Sequence, residues 1–274
     1  MRYNMYMKRK IVHRHHSYIS YPVDTHEKLY TIVLRPLLVV AGVALILLAI
    51  PHSESSEVGA TTIALATAAT VARLAVAYVL AVIAAIPLSL LVTRSLTIEA
   101  FLLPLFDVIE SVPILALFPV LIILFVQGGF YNGAAVAILF LTMVWSLVFT
   151  MVGGIKIIPI DILFAAKVFG IKGVSLVRKV ILPSIVPQFV TGSILAVAQA
   201  WNIIIVAEVL HTYIPGGSAA QDVFGIGALL VDASARGAGM QFFECVVAMI
   251  VVIALFNFFV WQKLLNYSQR FRFD

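Results

Sequence analysis

A chain of 274 residues in which 62% are hydrophobic and only 11% charged lies outside the range of soluble domains, which hold about 45–50% and about 25%, and has too little charge to cover a water-facing surface. The net charge of +5 would suit a nucleic acid as well as a membrane, so the placement of the basic residues has to decide. The single cysteine, Cys245, sits in an apolar run, which excludes an intrachain disulfide and a multi-cysteine zinc site and predicts a packing role.

Residues 1–33 form a basic stretch that is expected to stay as a cytoplasmic tail, because its basic region is too long for a signal peptide and no small-residue cleavage site follows. His13, His15, His16 and His26 fall on no predicted rigid element, so they are taken as solvated, and no metal site is expected. Six apolar runs follow, each long enough for the roughly 20 residues that cross a bilayer. They cover Thr31–Ile50, Val58–Val92, Phe101–Val126, Phe130–Val152, Ser184–Leu210 and Phe242–Gln262. Because the runs are continuous rather than alternating, the expected fold is all-α, a polytopic membrane protein with six transmembrane helices within 34–262. With the amino terminus inside, every Lys and Arg except Arg73 and Arg236 falls in the tail, at Arg35 near the start of the first run, at Arg94, in the loop after the fourth run or in the tail 263–274. That is the asymmetry expected of cytoplasmic segments, and it removes the need for a nucleic-acid partner.

Charges inside these runs need a reason, since one at the bilayer centre costs at least about 2.5–3.5 kcal/mol. Arg73 in the second run and Glu208 in the fifth both lie toward the outer half, where an ion pair between the two helices and a role toward substrate are both open. Asp107 and Glu110 are three apart on one helix face in the third run, just before Pro113 and Pro119 interrupt it. They are candidates to line a translocation path, or else they pair near the cytoplasmic surface with a base such as Arg94.

The segment 153–183 after the fourth run is too long for a simple connection in a helical bundle. Asp161 following Pro159 is the expected N-cap of a helix over Ile162 to Phe169, Gly170 ends it, and a second amphipathic segment runs to Pro183. Ala165, Ala166, Gly170, Val180, Leu182 and Pro183 occur at a spacing that resembles the cytoplasmic loop of ABC importer permeases: Glu-Ala-Ala, three residues, Gly, nine residues, an aliphatic residue, one residue, Leu-Pro. Phe164 replaces the glutamate, which removes any charged contact from that position and leaves the helix–Gly–helix pattern. The resemblance continues through Thr70-Val71-Ala72-Arg73, Ile86-Pro87-Leu88, Pro104, Val112 to Pro119, Ala200-Trp201-Asn202 and Ala207-Glu208, and is closest to the nitrate/sulfonate/taurine-type permeases. Ser111-Val112, Ala85 and Ser89 depart from that branch.

The resemblance implies a type I ABC importer permease fold in a prokaryotic cell membrane, with both termini cytoplasmic. It implies a coupling loop (Asp161, Phe164, Ala165, Ala166, Gly170, Leu182, Pro183) that docks on a dimer of ABC ATPase subunits. Its further partners would be a second permease copy or a related permease, an extracytoplasmic substrate-binding protein and the lipid bilayer. The solute would be small, for instance nitrate, a sulfonate, taurine or bicarbonate. No GxxxxGK[ST] motif is present in the sequence, so ATP and Mg would be bound by the partner ATPase and no cofactor by this chain.

In the fifth run, Gln199 and Asn202 either line the path or bond between helices. The glycine-rich segment 211–241 is expected outside, with a short interfacial helix over Phe224 to Val231. An ATP-independent channel or secondary carrier is the alternative, though no internal repeat supports it. A membrane enzyme would need grouped catalytic residues such as His-Glu-x-x-His, and no catalytic residue is predicted.

Overall fold

The computed structural model describes residues 59–271 except 127 and 215. The predicted first span Thr31–Ile50, the basic tail with its histidines, and the segment Pro51–Glu57, expected on the outer side, lie outside the described residues. The helices are α1 (Ala60–Val92), α2 (Leu96–Ser111), α3 (Tyr131–Lys156), α4 (Ile160–Val168), α5 (Val186–Glu208), α6 (Ile226–Ala235), α7 (Gly239–Phe256) and α8 (Gln262–Ser268). Among the described residues, α1, α3, α5 and the run from α7 to Phe271 are long and apolar enough to cross a membrane, and α2 with the segment after it makes a bent fifth candidate.

α3 is the axis of the domain, packed on α1 along one side and α5 along the other. The sequence explains the closeness of the first contact. Ala77, Ala81, Ala85 and Ser89 recur every four residues on α1, and all are fully buried, so the two backbones approach where larger side chains would hold them apart. Into this small-residue strip and the face of α5 carrying Ala196, Ala200 and Ile204, α3 inserts Ile138, Leu139, Met143, Leu147 and Met151. Toward the α4 end of α3 the close partner is α5: a Cβ on Gly154 would come within 2.9 Å of Gln188. Hydroxyl groups tie the three helices, Tyr78 donating to Ser193 at 2.7 Å and Ser146 to Gln199 at 2.8 Å.

Several boundaries differ from the expectation. The third predicted span is not one helix: α2 starts at Leu96, five residues early, with Ser95 accepting from the Ile98 N–H as N-cap. It stops at Ser111, and the chain turns by 85° into the segment Ile114–Phe125. Val112 is extended (ψ 122°) because the proline after it excludes helical backbone. α3 runs on to Lys156, so Gly153 and Gly154 belong to the helix rather than the loop. Asp161 does not cap α4. Pro159, extended at ψ 134°, takes that place, and Asp161 lies in the first turn, where its charge complements the helix dipole.

Gly170 ends α4 as expected, with φ +70°. The second segment does not end at Pro183: helical backbone continues from Val174 to Ser184, and only Ile185 separates it from α5. A wider turn over Val177–Ile181 precedes Pro183 and relieves the clash a proline ring makes with the preceding turn. The short helix expected within 211–241 is α6, shifted a few residues from the predicted range. The last helix begins at Gly239 and continues through α8 to Phe271, so the expected tail 263–274 is helical as far as Phe271.

Candidate functional site

The 85° break in the third span opens a cavity of about 370 Å³ between the end of α2, α3 and α5. Glu110, Ser111 and Pro113 line it from the break, Thr142 and Trp145 from α3, and Gln199 and Asn202 from α5. The volume lies in the range of small-molecule sites. Glu110 is fourteen residues beyond Leu96, about 21 Å along the helix, and so well away from Arg94 at the other end.

Four of the predicted path residues, Glu110, Pro113, Gln199 and Asn202, therefore come together. Asp107 does not line the cavity and lies one turn away on α2; both carboxylates are exposed. Neither carboxylate has a side-chain partner among the described residues, and the Ser111 hydroxyl donates to the Asp107 backbone carbonyl at 2.7 Å. Trp145 and Thr142 were not singled out from sequence, because an aromatic and a hydroxyl within a continuous apolar run carry no spacing signal. Trp145 is steadied by Phe106, the one buried residue of α2, with ring centroids 5.3 Å apart.

Further along α5, at its carboxyl end, the structure pairs Arg73 with Glu208, both buried. Glu208 also accepts from the Thr70 hydroxyl at 2.6 Å and from the Gly227 N–H at 2.7 Å. Arg73 donates its remaining groups to Asn132 at 3.1 Å and to the Phe224 carbonyl. Thr70 accepts from the Ile226 N–H at 3.0 Å. One charge pair thus joins α1, α3 and α5 to the first turn of α6, with each guanidinium nitrogen and both carboxylate oxygens bonded to a partner. Gly225 and Gly227 are required here: a Cβ on Gly225 would collide with the Glu208 carboxylate, and one on Gly227 would lie 2.8 Å from the Ile205 Cα. These glycines were legible only as loop formers.

At the other end of the domain, α4 and the segment after Gly170 form a helical hairpin. Ala166 is its buried anchor, while Asp161, Ala165 and Gly170 are exposed and Leu182 and Pro183 half-buried. The hairpin displays a row of large apolar side chains: Phe164 is 56% exposed, Val168 85%, Phe169 80% and Val174 83%. Lys156, at the end of α3, bonds to Glu99 in the first turn of α2 and ties that helix to the same end of the domain. Among the described residues no cluster of His, Cys, Asp and Glu is arranged to hold a metal ion.

The family described as binding-protein-dependent transport system inner membrane component matches residues 77–270. The chain is 31% identical over 190 residues to the nitrate import permease protein NrtB of Leptolyngbya laminosa, covering 69% of this chain and 63% of the relative. It is 31% identical over 150 residues to the bicarbonate transport system permease protein CmpB of Synechococcus elongatus, covering 55% and 53%. To the taurine transport system permease protein TauC of Escherichia coli it is 25% identical over 143 residues, covering 52% and 51%. The matches span about half to two thirds of the length of these relatives. With most of its length matched and its apolar helices in place, the chain belongs to the family of inner membrane components of binding-protein-dependent transport systems.

Proposed function

We propose that this chain is one half of the membrane pathway of an ATP-driven importer for a small solute, with the amino terminus and the α4 hairpin on the cytoplasmic side. The observation that carries the proposal is the hairpin: a short helix, a left-handed Gly170 and a second helical segment present Phe164, Val168, Phe169 and Val174 outward. Apolar side chains held this far into water need a partner surface. A dimer of ABC ATPase subunits is that partner in our reading, and ATP and Mg are bound there.

The cavity at the third-span break is the segment of path contributed by this subunit. Asp107 supports a second permease, identical or related, across from it: a carboxylate on an α2 face that would otherwise meet lipid carries the cost given above. A substrate-binding protein would deliver solute to the outer face formed by residues 211–241. Motion of the hairpin is carried to the cavity by the nearly continuous helix from Val174 through α5, which bears Val174 of the docking surface as well as Gln199 and Asn202.

Co-purification tests this. The full chain, solubilised with whatever ATPase it binds, is compared with Val168→Asp and Phe169→Asp, two exposed positions whose change leaves the fold intact. Retention of an ATPase by wild type and its loss from both variants is the expected result. A chain that purifies without an ATPase, or keeps it despite both changes, favours the channel or carrier alternative.

A further inference from the structure

The cavity at the third-span break has a sign. Its lining carries one ionisable group, Glu110, and neutral hydrogen-bonding groups on Ser111, Thr142, Gln199 and Asn202, with Trp145 as the one large aromatic surface; no Lys, Arg or His is among the described residues that line it. The nearest further charge on the same helix face is Asp107, also acidic and also unpartnered among the described residues. Arg73, the one basic residue described within α1, α3 or α5 away from their ends, is held by Glu208, Asn132 and the Phe224 carbonyl and does not line this cavity. A carboxylate with no base beside it among the described residues repels an anion and holds a cation, and the effect grows as water is excluded. Size points the same way: a small inorganic anion would leave most of about 370 Å³ unfilled, whereas an organic solute with a flat body would cover Trp145.

We propose that this cavity takes an organic solute bearing a protonated nitrogen, which faces Glu110 while its body lies against Trp145 and its polar groups meet Gln199 and Asn202. Nitrate and bicarbonate, after which two of the relatives are named, are then not its solutes. The proposal rests on the reading of the cavity as transport path, and the experiment separates the two.

In a Cys245→Ala background, Ser111→Cys and Thr142→Cys are introduced singly into the full chain. Membranes are treated with a cationic trimethylammonium thiosulfonate or an anionic sulfonate thiosulfonate, and each rate is normalised to that of a free thiol. The cationic reagent is expected to react at least about tenfold faster at either cysteine, as the field of one carboxylate in a partly aqueous site requires. Glu110→Gln should bring the ratio close to one. Benzylammonium should slow labelling, and benzoate and nitrate should not. Labelling that favours the anionic reagent, shows no preference, or is blocked better by benzoate or nitrate overturns the proposed solute class and leaves the path standing. If neither reagent reaches either cysteine, the path reading falls and this proposal with it.

Discussion

Replacing Arg73 with methionine leaves Glu208 fully buried with its charge uncompensated, although Thr70 and the Gly227 N–H still donate to it. Replacing Glu208 with glutamine does the reverse to Arg73. Removing one member of a buried pair costs about 3–5 kcal/mol, mainly because the other charge stays behind without water. The double substitution Arg73→Met with Glu208→Gln removes both charges, so it should cost at least about 2 kcal/mol less than the sum of the single changes. The buried thiol of Cys245 offers the assay: it should react with a fluorogenic maleimide in detergent only as the protein unfolds. For a chain of this size, about 2–4 °C per kcal/mol puts each single variant roughly 6–20 °C below wild type. A shift under about 2 °C for either single variant, or costs that simply add, would refute the view that this pair locks α1 and α5 to α6.

Three further outcomes follow from the packing. Gly225→Ala should lower the same melting temperature by several degrees, about 2 kcal/mol or more, because its Cβ meets the Glu208 carboxylate; Gly239→Ala, with open space around it, serves as the neutral comparison. Ala81→Leu, at a fully buried position facing α3, should cost about 1–3 kcal/mol by overpacking, while Ile83→Leu, 63% exposed on the same helix, should change the melting temperature little. Gly170→Ala should leave the membrane domain's melting temperature nearly unchanged, since nothing lies near its Cβ, yet strain the hairpin at φ +70° by about 1–2 kcal/mol. Reduced ATPase co-purification at unchanged melting temperature is the expected combination.

Much of this protein is local in origin and could be read along the chain. Continuous apolar runs leave helices as the only arrangement that satisfies the backbone in lipid, so α1, α3, α5 and α7 were legible, as was the helix–Gly–helix loop from the spacing of Ala165, Ala166, Gly170, Leu182 and Pro183. Family membership was legible for the same reason, because the motif is a spacing within one segment. Helix ends were read less well. Asp161 looked like a cap because acidic residues favour that place, but Pro159 already had the extended backbone a cap needs, and the helix started two residues sooner.

What required the tertiary structure was every statement about which polar groups meet. Arg73 and Glu208 lie 135 residues apart, and nothing along the chain shows that Gly225 and Gly227 leave room for the carboxylate and that Thr70 supplies a further bond. Asp107 and Glu110 look equivalent in sequence, yet the turn at Val112-Pro113 brings Glu110 into a cavity with Gln199 and Asn202 and leaves Asp107 outside it. Hydrophobicity and local backbone preference act within a few residues and so are written in the sequence by itself. The company a charge keeps depends on how three helices cross, and that is decided only when small residues such as Ala77, Ala81 and Gly154 let those helices close on one another.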